Sequence, residues 1–181
     1  MTKIVGISGS LREGSYSYQA LELAVQKAQD LGAAVTILDL RRLQLPFCNG
    51  GEAYPDYPDV TKLRQVVKDA DGLILATPEY HGSLSGVMKN ALDLLSFDEL
   101  SGKVIGTIGV LGGQSNSNAL NELRTIARWV HAWTIPEQVA IGQAWKAFDQ
   151  NGTLTDEKLD QRLSDFVGSL VENTQKLCPQ T

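Results

Sequence analysis

The sequence predicts a doubly wound α/β domain, a five-stranded parallel sheet between two layers of helices, and three observations carry that prediction. Short apolar runs alternate with longer segments of helical period along the chain. The runs are continuously apolar, as strands covered on both faces must be. The 181 residues, 43% apolar and 20% charged, suit one globular domain spanning residues 1–181 with its own core.

The strands are expected at Lys3–Ile7, Ala34–Leu38, Gly72–Ala76, Val104–Val110 and, more faintly, Val139–Ile141. In the first helix Ala20, Leu23, Ala24, Ala28 and Leu31 form one stripe, and Gly32 stops it. The second helix is short, Val60 to Ala70, and the third runs from about Gly86 to Leu95. Leu120, Leu123, Ala127 and Val130 share a face of the fourth. The last, Asp156 to Lys176, turns Leu159, Leu163, Phe166 and Leu170 inward, with Thr155 placed to serve as its N-cap. Pro46 to Pro58, rich in Gly and Pro, reads as a long surface loop. Strict alternation gives three layers, and at this size the strand order expected is 2-1-3-4-5, the flavodoxin-like one.

Composition removes several classes of function. A net charge of −5 and a pI near 5.0 speak against a nucleic-acid binder, which carries a basic face. Cys48 and Cys178 are far apart and form no C-x-x-C; with His81 and His131 they give no metal-ligand spacing. Ile4 to Ile7 lacks the basic start and length of a secretory signal, and no run approaches a membrane span. A cytoplasmic protein with no metal site is expected.

An open parallel sheet binds ligands beyond the carboxyl ends of its strands, where the strand order reverses. In the order 2-1-3-4-5 that crevice is lined by the loops after strands one, three and four, and these are the loops of unusual composition. Ser8-Gly9-Ser10-Leu11-Arg12-Glu13-Gly14-Ser15-Tyr16-Ser17 opens the first helix. A helix N-terminus offers unpaired N–H groups to a phosphate, hydroxyls add donors, and Arg12 supplies a charge-assisted bond. The same residues also suit a plain Gly/Ser turn with Ser15 or Ser17 as N-cap. Gly9 and Gly14 have P-loop spacing, but Ser15 stands where the lysine belongs, and G-x-G-x-x-G is absent. ATP hydrolysis and the dinucleotide fingerprint are therefore excluded.

After strand three, Pro78 is expected to break the strand, while Gly82 and Gly86 permit close approach of backbone to a flat ligand. Tyr80 offers an aromatic face or hydroxyl, and a helix-entry turn with a surface tyrosine fits equally. After strand four, Gly112 and Gly113 leave amides exposed and Gln114 carries both a donor and an acceptor. A flexible turn before a helix cap is the alternative there. Together the loops favour a ligand with one phosphate end and one planar, polar-edged end.

Gly9-Ser10-Leu11-Arg12-x-x-Ser15, then Pro78-Glu79-Tyr80-His81-Gly82-Ser83 continuing through Gly86-Val87-Met88-Lys89-Asn90-Ala91-Leu92-Asp93, and the Gly112-Gly113 turn resemble the motifs of the NADPH-dependent FMN reductase family within the flavodoxin-like flavoproteins. The resemblance spans essentially the whole chain. It implies FMN as cofactor, with Ser10, Arg12, Ser15 and Ser17 on its phosphate and Tyr16 beside them. It further implies that the backbone of Pro78, Glu79, Tyr80, His81, Gly82 and Ser83, and of Gly112, Gly113, Gln114 and Ser115, meets the isoalloxazine edge. Many members have Asn where this chain has Ser17 and His81; Ser17 still donates to a phosphate, and at His81 a backbone contact survives.

The resemblance implies ping-pong hydride transfer from NADPH or NADH through FMN to a small acceptor such as a quinone, a nitro or azo compound, an oxidised metal ion or free flavin. The cofactor carries this chemistry, so no catalytic side chain or metal is called for. It also implies a homodimer or homotetramer, for which Trp129 and Trp133 suit an interface anchor as well as they suit a core. Two other classes stay open on sequence: a flavodoxin-like electron carrier, although its T-x-T-G-x-T loop is absent, and a flavin-binding regulatory protein.

Overall fold

A computed structural model describes residues 1–114 and 117–178. Its elements are β1 (Lys3–Ser8), α1 (Tyr16–Asp30), β2 (Ala34–Leu38), a 3-10 turn at Leu40–Arg42, α2 (Pro58–Lys68), β3 (Gly72–Tyr80), β4 (Ser83–Leu84), α3 (Gly86–Asp93) and α4 (Phe97–Leu100). There follow β5 (Val104–Val110), α5 (Ser117–Trp129), β6 (Trp133–Thr134), β7 (Val139–Ile141), α6 (Ala144–Ala147) and α7 (Glu157–Leu177).

The central strands β1, β3 and β5 are buried because each presents apolar side chains to both faces in turn. On one face Ile4, Ile74 and Val104 pack with Leu21 and Ala24 of α1 and with Phe166 and Leu170 of α7. On the other, Val5, Leu73, Leu75 and Ile105 pack with Leu63 of α2, Met88 of α3 and Leu123 of α5. The continuous apolar runs are thus period-two patterns that find a helix layer on either side. At Gly106 the helix comes too close for any side chain: a Cβ there would stand 2.6 Å from the Phe166 ring.

Strands pair in the order β2-β1-β3-β5-β6, with β4 antiparallel on β3 and β7 parallel to β5. The flavodoxin-like class holds, but the expected five strands become seven among the described residues, for two reasons. β4 is a two-residue return that Tyr80 and Ser83 close as a hairpin. The last strand is divided: β6 faces Val104 and Ile105, β7 faces Ile108 to Val110, and residues 135–138 stand against only 106–107 between them. Pro136 lies in that surplus and has no N–H for the ladder, a position that an edge strand tolerates. Counted as one interrupted strand, β6 and β7 occupy the fifth position of the expected order.

Other bounds move as well. β3 runs on to Tyr80, so Pro78 does not end it; Thr77 and Pro78 pair with Gly109 and Val110 of β5. The β1 ladder has already stopped at Ser8 opposite Ala76, and the β4 pairing begins only at Glu79, so Pro78 falls in the gap between the two ladders, where its missing N–H is not needed. Leu31 is the exposed C-cap of α1 instead of part of its buried stripe. Asp156, not Thr155, caps α7 by accepting from the Lys158 amide; the Thr155 hydroxyl donates to the carbonyls of Lys146 and Ala147. Between Arg42 and Pro58 no helix or strand forms, as expected of the long loop. That loop is tied down by Asn90, whose side chain accepts from Cys48 N at 2.9 Å and donates to Pro46 O at 2.9 Å.

Candidate functional site

The carboxyl ends of β1, β3, β5 and β7 open onto one cleft of about 280 Å³. From the amino-terminal loop it is lined by Ser10, Arg12, Ser15, Tyr16 and Ser17, and from the end of β3 by Pro78, Glu79 and Tyr80. Val110, Leu111 and Gly112 line it after β5, and Ala144 and Trp145 after β7.

The first loop is positioned by its own backbone. Gly9 N donates to Ala76 O at 2.8 Å, and Gly9 O accepts from the Ser85 hydroxyl at 2.5 Å. The chain then passes so near α3 that a Cβ on Gly9 would lie 2.7 Å from both Met88 Cβ and Ser85 Oγ. Ser15 is the N-cap of α1, its hydroxyl accepting from Tyr18 N. The capping alternative therefore holds for Ser15, and it does not exclude a ligand. Among the described residues the N–H groups of Tyr16 and Ser17 find no acceptor, as the first turn of a helix requires.

Around those amides Ser10, Ser15 and Ser17 are all buried. The Arg12 guanidinium lies 5.4 Å from the centre of the Tyr16 ring and reaches Gly14 O at 3.4 Å. No carboxylate pairs with it among the described residues. Free helix amides, buried hydroxyls and an uncommitted guanidinium are the donor set that a phosphate monoester takes, and the residues fit such a group.

At the end of β3 the backbone turns sharply. His81 and Gly82 both have positive φ, +53° and +76°, the mirror-image geometry of a two-residue hairpin. The turn explains why Asn serves well where this chain has His81: Asn enters the left-handed region more readily. His81→Asn is expected to stabilise the protein by about 0.5 kcal/mol, seen as a higher denaturant midpoint at unchanged slope; a lower midpoint would mean that the imidazole makes a contact worth more than the strain. Behind the turn, Thr77 Oγ1 accepts from Ser85 N at 3.1 Å and the Ser85 hydroxyl accepts from Met88 N, so the cap of α3, β3 and the first loop form one block.

Not every predicted site residue faces the cleft. Glu79 lines it, but its buried carboxylate accepts from Ala119 N at 3.0 Å in the first turn of α5, where a negative charge meets the positive pole of the helix. Ser83 donates to Glu122 at 2.6 Å, on another surface. His81, Gly82, Gly113 and Gln114 are exposed outside the lining. Ser115 lies outside the described residues. Gly113 O accepts from Gln143 N at 2.6 Å, and Gly142 packs directly on the backbone of Gln114. The loop after β5 is therefore shaped by the loop after β7.

Sequence reasoning missed Val110, Leu111, Ala144 and Trp145. The first two are the last residue of the strand expected at Val104–Val110 and the one after it, so the carboxyl-end rule applied to that strand would have found them. Ala144 and Trp145 gave no signal, because they follow the faint last strand. The single carboxylate in the lining is already engaged, and the lining contains no histidine or cysteine. Its chemistry is recognition: anion donors at one end, and a floor of Pro78, Val110 and Leu111 under the aromatic rims of Tyr80 and Trp145.

Residues 2–146 match the family model described as NADPH-dependent FMN reductase. The NADPH-dependent FMN reductase ArsH of Rhizobium meliloti is 33% identical over 178 residues, which is 95% of this chain and 72% of that protein. An NAD(P)H-dependent FMN reductase of Pseudomonas aeruginosa is 36% identical over 174 residues, 93% of this chain and 92% of its own length. Among solved structures, FerB of Paracoccus denitrificans, described as a flavoenzyme NAD(P)H:(acceptor) oxidoreductase, superposes with a TM-score of 0.79 at 25% identity, covering 97% of this chain and 98% of its own.

Proposed function

From a chain that belongs to the NADPH-dependent FMN reductase family, and from its cleft, we infer an FMN-dependent NAD(P)H oxidoreductase that works by a ping-pong cycle on a small acceptor. The observation that carries the reading is the start of α1, where among the described residues the amides of Tyr16 and Ser17 are unpaired, hydroxyls are buried beside them and Arg12 has no acidic partner. The chemistry that FMN supplies when bound is two-electron exchange: hydride arrives from NADPH or NADH and leaves toward the acceptor in a second half-reaction.

The residues of this chain bind and orient. Ser10, Ser15, Ser17 and Arg12 hold the phosphate at the amino end of α1. Pro78, Tyr80, Val110, Leu111 and Gly112 bound the space for the flat ring, and the backbone on either side offers its edge donors and acceptors. Quinones, nitro and azo compounds, oxidised metal ions and free flavin are the acceptor classes that an open, apolar-floored cleft admits. Trp129 and Trp133 are 68% and 60% exposed. They are therefore not core residues, which supports reading them as anchors of a homodimer or homotetramer. Light scattering is expected to give a mass above the 19.6 kDa of one chain, falling toward it in a Trp129→Ala/Trp133→Ala variant; no change on substitution would move the contact elsewhere.

The deciding experiment is anaerobic. Purified protein loaded with FMN is mixed with NADPH or NADH, and the flavin absorbance is followed. Rapid bleaching, then recovery on adding a quinone, is the expected result. A bound flavin that stays oxidised sinks the enzyme and favours the electron carrier. Failure to bind FMN at micromolar concentration sinks the phosphate site itself.

A further inference from the structure

Trp145 is a large apolar side chain left 60% exposed at the rim of the cleft, yet the turn that carries it is held firmly. Ala144 and Ala147 of α6 are buried. Ala144 N donates to Leu111 O at 3.1 Å and Gln143 N to Gly113 O. The buried ring of Phe148 stacks on Tyr16, centroids 5.5 Å apart and planes 14° from parallel. Gln143 sits in the left-handed region at φ 47°, ψ 47°, a conformation unfavourable to a side chain that persists where the surroundings over-determine it and that gathers at ligand sites. Lys146 Nζ lies 4.6 Å from the indole centre and has no carboxylate partner among the described residues.

The other two tryptophans stand apart from the cleft. Trp133 pairs with Val104, at the opposite end of β5 from Val110, about 20 Å along the strand. Trp145 is the indole brought to the cleft, on a rigid mount, beside Arg12, Tyr16 and Ser17.

We propose that Trp145 is a further wall of the flavin site: its side chain lies against bound FMN, shields it from water and slows its release. The proposal rests on the FMN reading above. An indole offers a flat apolar face to the ribityl chain or ring edge, and the Lys146 ammonium 4.6 Å from the indole centre holds it by a cation–π contact. The Tyr16–Phe148 stack ties the segment after α6 to the start of α1.

FMN itself is the probe in the test, read by hydroxyl-radical footprinting with mass spectrometry. Saturating FMN is expected to cut oxidation of Trp145 about fivefold, while Met1, exposed at the amino end of β1 and away from the cleft, oxidises at an unchanged rate as the internal reference. Trp145→Ala is expected to raise the FMN dissociation rate about fivefold, and Trp145→Phe, which keeps a flat apolar face, about twofold. The side chain is exposed, so truncation opens no cavity in the core. Equal oxidation of Trp145 with and without FMN, or wild-type release from the alanine variant, overturns the proposal and leaves the FMN reading standing. A phenylalanine variant that releases FMN as fast as the alanine one also overturns it. Wild-type protein that takes up no FMN overturns both.

Discussion

Arg12→Ala is expected to weaken FMN binding about tenfold or more, since a hydrogen bond to a charged group is worth about 1.5–3 kcal/mol. The expectation rests on what Arg12 does not do. Among the described residues its guanidinium has no ion pair, and it meets a carbonyl at 3.4 Å and the Tyr16 ring at 5.4 Å. Removing it therefore withdraws little from the stability of the protein, and the loss falls on the ligand. Two controls locate the loss. Riboflavin, which has no phosphate, should bind wild type and variant alike. Arg12→Lys should recover part of the affinity, because an ammonium keeps the charge without the planar fork. Arg12 is exposed, so the deficit should shrink as salt rises. Equal FMN affinity in wild type and Arg12→Ala would show that the guanidinium points away from the phosphate.

Gly9→Ala is expected to destabilise the fold by about 1–3 kcal/mol, the usual range for forcing atoms into a packed site. A Cβ at position 9 would meet Met88 Cβ and Ser85 Oγ at 2.7 Å and Thr77 Oγ1 at 3.2 Å. A Cβ has no rotamer by which to avoid them, so either α3 or the loop must shift. In a chain of this length each kcal/mol lowers the melting temperature by about 2–4 °C. The drop should be accompanied by weaker FMN binding, because the Ser85-to-Gly9 hydrogen bond that sets the loop is strained at the same point. Gly9→Ala/Ser85→Ala, which removes one of the obstructing atoms, should lose less than the sum of the two single changes. A Gly9→Ala protein that melts with wild type would show that α3 yields freely.

Much of the fold was legible because its causes are local. Alternating strands and helices follow from apolar period, and Gly32 ends α1 where the sequence places it. The β3 boundary was misread because the rule that proline breaks a strand ignores whether a ladder needs its N–H. Pro78 falls between the end of the β1 ladder and the start of the β4 pairing, so the ladder to β5 continues past it. The last strand was faint because it is divided around Pro136, and with it went the segment that carries Trp145. Glu79 was legible as a cleft residue but not as the carboxylate that receives the α5 amide, since its partner is 40 residues on.

The amino-acid sequence alone determined the parallel sheet and its helix layers, and placed a loop rich in Gly and hydroxyls, with one arginine, at the start of α1. Those features depend on residues a few positions apart, so pattern and composition suffice. The tertiary structure alone decided which of the expected residues share the cleft, that Gly9 is pressed against α3, and that the turn after β7 shapes the Gly112–Gln114 loop and carries an indole to the rim. Such contacts join positions far apart in the chain. They exist only once strand register has brought the carboxyl ends of β1, β3, β5 and β7 side by side.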